Sequence, residues 1–302
     1  MATAASSAPF QITPRKVSFD WSHSTPLVWV TEDAFSSHWG NAFHYLLTQG
    51  EKFFCRTFRE ALPHISDPKL REDVEAFIAQ EAIHSAAHHH AIQHVHKPLH
   101  IEGGRFEKQN EWLFDGLLAA KPFGKNLPPQ FHHQWLVIRV GTVAAIEHFT
   151  AALGAYLLED VRWEQFGADP IIADLYRWHG AEEVEHRTVA YDLYRHLGGR
   201  WPLRVLLMTA VFPILLERQA SGIMAMDRYE AARKNQKPLH FLRSWKQSSA
   251  RKTVPSARWF MSKMLRFMSP RYNPLQEAST ELALAYIANS AAVKRAAANQ
   301  PA

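Results

Sequence analysis

Two Glu-x-x-His pairs, Glu81/His84 and Glu183/His186, stand in matching places in the two halves of residues 1–200, each within a run that reads as helix. Side chains three apart on a helix lie one above the other on the same face. Each pair can therefore present a carboxylate oxygen and an imidazole nitrogen to one metal ion. One such pair carries little weight, because a Glu and a His at this spacing on an exposed helix are ordinarily solvated. Here the surroundings are apolar: Phe77-Ile78-Ala79 precedes the first pair, and Ile146 and Phe149 flank a further acid, Glu147. A carboxylate facing such a core is costly unless it is paired or coordinated.

The chain around the pairs reads as helix, turn, helix, twice. Residues 1–30 are irregular, with Pro9, Pro14 and Pro26 and no helical period. From Thr31 the pattern turns helical. Ala42–Leu62 carries Phe43, Leu47, Phe54 and Phe58 at helical spacing and stops at Pro63. Ser66-Asp67-Pro68 supplies a turn and a helix start, and Leu70–Val95 is the second long helix. A short helix is expected over Asn110–Ala120, then a Pro/Gly-rich link, Lys121–Pro129. The third and fourth long helices are expected over Phe131–Leu158 and Ile171–Leu197, with a break at Phe166–Pro170. Trp201–Ala232, Val254–Met268 and Ala278–Ala298 also read as helical, and no segment alternates convincingly as a strand. The class is all-α: two hairpins forming a four-helix bundle over residues 31–200, with a helical extension, 201–302, packed on it.

Distance from the turn selects the partner acids, since facing residues of an antiparallel pair lie about equally far from it. Glu81 is 13 residues beyond Pro68; Glu51 lies 15 before Ser66 and Glu60 only 6. At ~1.5 Å per residue, Glu60 falls on the order of 10 Å too near the turn, and Glu51 is preferred. In the second hairpin Glu183 is 13 beyond Pro170 and Glu147 is 19 before Phe166, which fits if the chain unwinds near Gly167; Glu159 and Glu164 are too close. His179, four residues before Glu183, shares its face and adds a nitrogen. His88, four after His84, is either a further ligand or a group hydrogen-bonded to one. The expected metal ligands are Glu51, Glu81, His84, Glu147, His179, Glu183 and His186, with His88 as an addition. Glu182 is expected to pair with Arg or solvent. His89, His90, His94, His96, His132, His133 and His148 are expected to be structural or on the surface.

Composition narrows the metal. The lone Cys55 excludes a disulfide framework and thiolate-rich sites, leaving His and carboxylate donors that suit iron, manganese or zinc. Met1–Pro14 lacks the apolar core of a signal peptide. Leu203–Leu216, the most apolar run found, is interrupted by Pro213 and falls short of the ~20 residues of a spanning helix. A soluble, cytoplasmic protein is expected. Residues 200–302 hold seventeen Lys/Arg against five Asp/Glu, whereas the rest holds seventeen against twenty-four. The basic tail with its aromatic stretch Trp259–Met268 suits packing on the bundle, with peripheral membrane contact and a hydrophobic substrate as a second reading. No helix-turn-helix signature points to nucleic acid, and the oligomeric state is left open.

Gln49-Gly50-Glu51-Lys52-Phe53-Phe54, Gln80-Glu81-Ala82-Ile83-His84 and Trp178-His179-Gly180-Ala181-Glu182-Glu183-Val184-Glu185-His186 resemble a bacterial family named predicted metal-dependent hydrolase. The likeness runs from about Val17 to beyond Tyr272. It departs at Gln49-Gly50-Glu51, where a Pro is expected near the acid, but the Glu is kept. Two Glu-x-x-His pairs with one Glu from each of two other helices is also the dinuclear arrangement of ferritin-like bundles. The set with His179 is similar to that of ferritin-like di-iron N-oxygenases, which oxidise aryl amines. These resemblances imply a ferritin-like four-helix bundle with additional C-terminal helices and two metal ions, iron foremost and Mn or Zn as alternatives.

Helix-borne Glu-x-x-His favours a di-iron oxygenase or oxidase acting on a small organic substrate, since hydrolytic sites more often use loop ligands and Asp. The family name implies hydrolysis instead, which two metals can also support. Non-catalytic metal binding is the third reading.

Overall fold

Both turns restart the chain with the same two residues. In the computed structural model, which describes residues 11–22, 24–101 and 103–299, Asp67 and Asp169 each cap a helix that opens on proline. Asp67 accepts from the amides of Lys69 (2.9 Å) and Leu70 (3.3 Å), and Asp169 from those of Ile171 (2.9 Å) and Ile172 (3.1 Å). The caps satisfy amides that have no intrahelical partner, and proline has none to lose. The helices so started, α2 (Pro68–Ala91) and α5 (Pro170–His186), run back along α1 (Ala34–Ala61) and α4 (His132–Glu159). The opening of the irregular N-terminal segment, residues 1–10, lies outside the described residues.

Side-chain contacts fix the directions. Ser85 donates to the Thr48 carbonyl (2.9 Å) and Phe58 stacks on Phe77, so α1 and α2 are antiparallel. His84 meets Glu182 and His88 meets His179, so α2 and α5 are antiparallel too. Arg139 of α4 pairs with Glu60 near the far end of α1. Helices α2 and α4 therefore point the same way, and residues 92–131 join them by a long crossover that holds α3 (Gly104–Glu111). Among the described residues the only extended pairing is an isolated Val30–Ala168 bridge, so the protein is an all-α helical bundle.

Helix α4 lies at the centre. Pro129–Glu159 is long and apolar enough to cross a membrane by length and composition: an 18-residue window within it has a mean hydropathy of 1.5, yet 89% of that window is buried inside the protein. Among the described residues it is the one helix that meets this span-length test; Leu203–Leu216 is a shorter run.

The expected fourth helix is two, α5 and α6 (Val189–His196). Arg187 donates to the carbonyls of Val184 and Pro274 (3.1 Å for the latter), competing for the acceptor that the Thr188 amide would use in a continuous helix. Beyond it follow α7 (Trp201–Arg233), α8 (Phe241–Ala250) and α9 (Ala257–Met268). The last expected helix is also split, into α10 (Thr280–Asn289) and α11 (Ala291–Ala298), where Ser290 leaves helical geometry and caps α11. Helix α8 was not anticipated. Its polar, Lys/Arg-bearing sequence hides a small inner face, on which Ser248 donates to Asp33 (2.7 Å), the cap of α1. Met208, Val211 and Phe212 of α7 and Phe260 of α9 share one apolar core with α1, α2 and α4. The C-terminal helices thus complete the bundle's own core.

Candidate metal centre

Midway along the bundle, two groups of buried side chains bring their donor atoms within 4.8 Å of one another: Glu51, His84, His179 and Glu183, and Glu81, Glu147, Glu183 and His186. All seven ligands expected from the sequence are here, one or more from each of the four long helices. In the first group His179 Nε2 is 2.6 Å from Glu183 Oε1 and 3.5 Å from Glu51 Oε1, and His84 Nδ1 is 3.7 Å from Glu183 Oε1. In the second, His186 Nε2 lies 3.2 Å from both Glu81 Oε1 and Glu147 Oε2 and 3.3 Å from Glu183 Oε2.

Glu81 and His84, which the three-residue spacing offers to one ion, fall in different groups, their nearest atoms 3.8 Å apart. Glu183 belongs to both, one carboxylate oxygen toward each. The Glu147 register is explained by α4 ending at Glu159 and a 3-10 turn, Trp163–Phe166, preceding the cap. Leu157 therefore meets Arg177 (3.1 Å), which carries Glu147 level with the end of α5 and within reach of His186.

The donors fit a metal. Neither oxygen of Glu51, Glu81 or Glu147 accepts a hydrogen bond, nor does His84 Nδ1 find a partner, although all are buried. Uncompensated polar atoms at this depth are rare and costly. Burial, then the neighbouring Glu183 and Glu147 charges, push Glu51 and Glu81 well above the usual carboxylate range. Burial and the Glu183 charge raise Glu147 to about 7. Burial would raise Glu183 as well, but His186 and His179 outweigh it and hold it well below the usual value. Burial lowers His84 to about 3 and His179 to about 4, so both favour the neutral form that binds metals. Burial also opposes charge on His186, yet Glu183 and Glu147 raise it to about 10. Ionised together, the four clustered carboxyl groups would carry a charge of −4, which two divalent cations would neutralise.

The second nitrogen of each histidine is held by the protein, which aims the first inward. His84 Nε2 meets Glu182 (2.9 Å), which with Glu185 is clamped by Arg15 at 3.2 and 2.7 Å. His186 Nδ1 meets Gln80 Oε1 (3.0 Å), whose amide donates to Glu185 (2.7 Å). His179 Nδ1 meets His88 Nε2 (2.6 Å), and His88 Nδ1 meets His44 Nδ1 (2.8 Å). His88 thus stands outside both groups and meets the His179 ring instead. Glu182 pairs with arginine as expected, and with His84 in addition. Arg15, His44, Gln80 and Glu185 were missed. Gln80 and Glu185 adjoin motif residues and were legible in principle, but nothing local marks Arg15. Of the histidines expected to be structural or on the surface, His96 and His148 are buried and His89, His90, His94, His132 and His133 are exposed.

Loss of the His88 contact should loosen the His179 ring. A His88→Leu protein is expected to hold metal about 10–100-fold more weakly, the usual effect of removing such a support, as measured by chelator competition. Unchanged affinity would remove the role given to His88.

A family described as predicted metal-dependent hydrolase matches residues 13–278. The chain belongs to this family. Comparisons with curated proteins and with solved structures returned no match. The matched span covers every residue of the buried carboxylate and histidine cluster described above, the Arg15 clamp, and helices α7 and α9. The family's description favours the hydrolytic reading over the oxidase one.

Proposed function

We propose that the protein is a metal-dependent hydrolase acting on a small organic substrate at this centre. The observation that carries the reading is the set of buried carboxylates of Glu51, Glu81 and Glu147 that accept no hydrogen bond, converging with three histidines aimed inward. Two bound metal ions would supply Lewis acidity, polarising a carbonyl or phosphoryl oxygen and lowering the pKa of water. The protein's own part is to hold donors and exclude competing solvent. Glu182 and Gln80 fix the His84 and His186 rings, His88 fixes His179, and the apolar core keeps bulk water away from the carboxylates. In hydrolysis the water oxygen bonds to the electrophilic centre, the bond to the leaving group breaks, and that group departs with a proton.

A second reading is favoured by one observation: every donor sits on a helix and none is Asp, as suits an oxygen-activating di-iron enzyme. Metal analysis with two assays separates them. The hydrolase reading expects ester or phosphoester cleavage that a chelator abolishes and added Zn, Mn or Fe restores. Iron-loaded protein that consumes O₂ with substrate while cleaving no ester would overturn it in favour of the oxidase.

A further inference from the structure

An apolar slot leads away from the metal centre between α1, α4, α7 and α9. Its lining positions on α1 recur every three or four residues, from Trp39 through Phe43, Leu46 and Gly50 to Phe54. They form one helix face over about 22 Å. Phe149 of α4 and Phe212 of α7 stack with ring centroids 5.5 Å apart to form part of the wall, and Phe260 of α9 closes it. Glu51 is the one charged residue in the lining, so the slot and the centre share this carboxylate. The other polar liners are Thr150, whose hydroxyl donates to the Glu147 carbonyl (3.2 Å), and Gln219, whose amide donates to the Trp39 carbonyl (2.8 Å).

We infer that this slot takes a slender hydrocarbon chain, acyl or alkyl, of the substrate, with the reacting group at Glu51. The inference rests on the hydrolase reading for the reaction but not for the binding. The void measures ≈ 60 Å³, more than the ~10–15 Å³ that holds one water, yet its walls offer water almost no partners. Such a space favours apolar guests. Its length along α1 selects a linear chain over a compact ring. Leu215 and Leu216 of α7, also in the lining, are only partly buried and mark the side from which a chain enters.

Gly50 gives a way to shut it. A Cβ there would meet Phe114 at 3.6 Å and Phe54 at 3.9 Å, ordinary contact distances, so a methyl group is accommodated and a longer side chain extends into the slot. Leu216→Trp narrows the α7 side instead. The test is binding of fluorescent cis-parinaric acid to the metal-loaded protein, with decanoate and acetate as competitors. Saturable binding displaced by decanoate but not by acetate is expected, weakened about tenfold or more by Gly50→Leu and by Leu216→Trp. Esters of longer acyl chains should then show the higher kcat/KM. Absence of saturable binding, or unchanged affinity in a folded Leu216→Trp protein, overturns the slot even if Gly50→Leu fails to fold. Chain binding without cleavage of any ester leaves the slot standing and removes the hydrolase reading. Ester cleavage indifferent to chain length, without parinarate binding, does the reverse.

Discussion

Replacing Glu183 by alanine is expected to cost the protein both metal positions rather than one. Its two oxygens face different groups, Oε1 toward His179 and His84 and Oε2 toward His186. Metal-to-protein ratios after loading and desalting check this: about two in the wild type by the charge argument, near zero in the variant. Thermal unfolding gives a second readout. A metal at a hundredfold its Kd stabilises by ~2.7 kcal/mol, roughly 5–10 °C in a domain of this size. The wild type should show at least that rise on metal addition, and Glu183→Ala little of it. Glu60→Gln is the control: that residue pairs with Arg139, away from the centre, and its variant should keep the full metal content. One full equivalent retained by Glu183→Ala would show that the groups do not share this residue.

The second large effect is steric. Gly154 and Gly180 are pressed together where α4 crosses α5. A Cβ on Gly154 would lie 2.1 Å from the Gly180 carbonyl oxygen, and one on Gly180 would lie 2.8 Å from the Gly154 Cα. These neighbours are backbone, so no rotamer change relieves the clash and the helices must separate. A Gly154→Val protein should lose about 3 kcal/mol or more, the upper end for overpacking, and melt roughly 6–12 °C lower. Metal content should fall with it, since the helices forced apart carry Glu147, His179, Glu183 and His186. A variant melting within about 2 °C of the wild type would show that the crossing yields easily.

The sequence made the four long helices and their donors legible because both depend on local signals. Asp-Pro restarts, apolar period and distance from the turn were enough to choose Glu51 over Glu60. The division of donors between the two groups was not legible. Three-residue spacing states that Glu81 and His84 share a face, but they are offset along it by about 4.5 Å, a scale that can separate two positions or serve one. The break after His186 depends on Arg187 reaching Pro274, and the clamp on Glu182 depends on Arg15. Both contacts join residues far apart in the chain, where periodicity carries no information. Helix α8 was missed for a related reason: its inner face is small, with Phe241 and Trp245 packed on Phe35 and Trp39, and hydrogen bonds to Asp33 and Pro255 complete it.

The long crossover between α2 and α4 has a consequence for how the protein is made. The first hairpin supplies Glu51, Glu81 and His84, and the second supplies Glu147, His179, Glu183 and His186; each donor group draws on both. A growing chain finishes the first hairpin with its acids and His84 in place but no complete cage to offer. Full-strength metal capture must wait until residues beyond the crossover have been synthesised and docked. The ions would then act as staples between two separately built halves, and metal supply would bear on assembly of the newborn protein as much as on its chemistry.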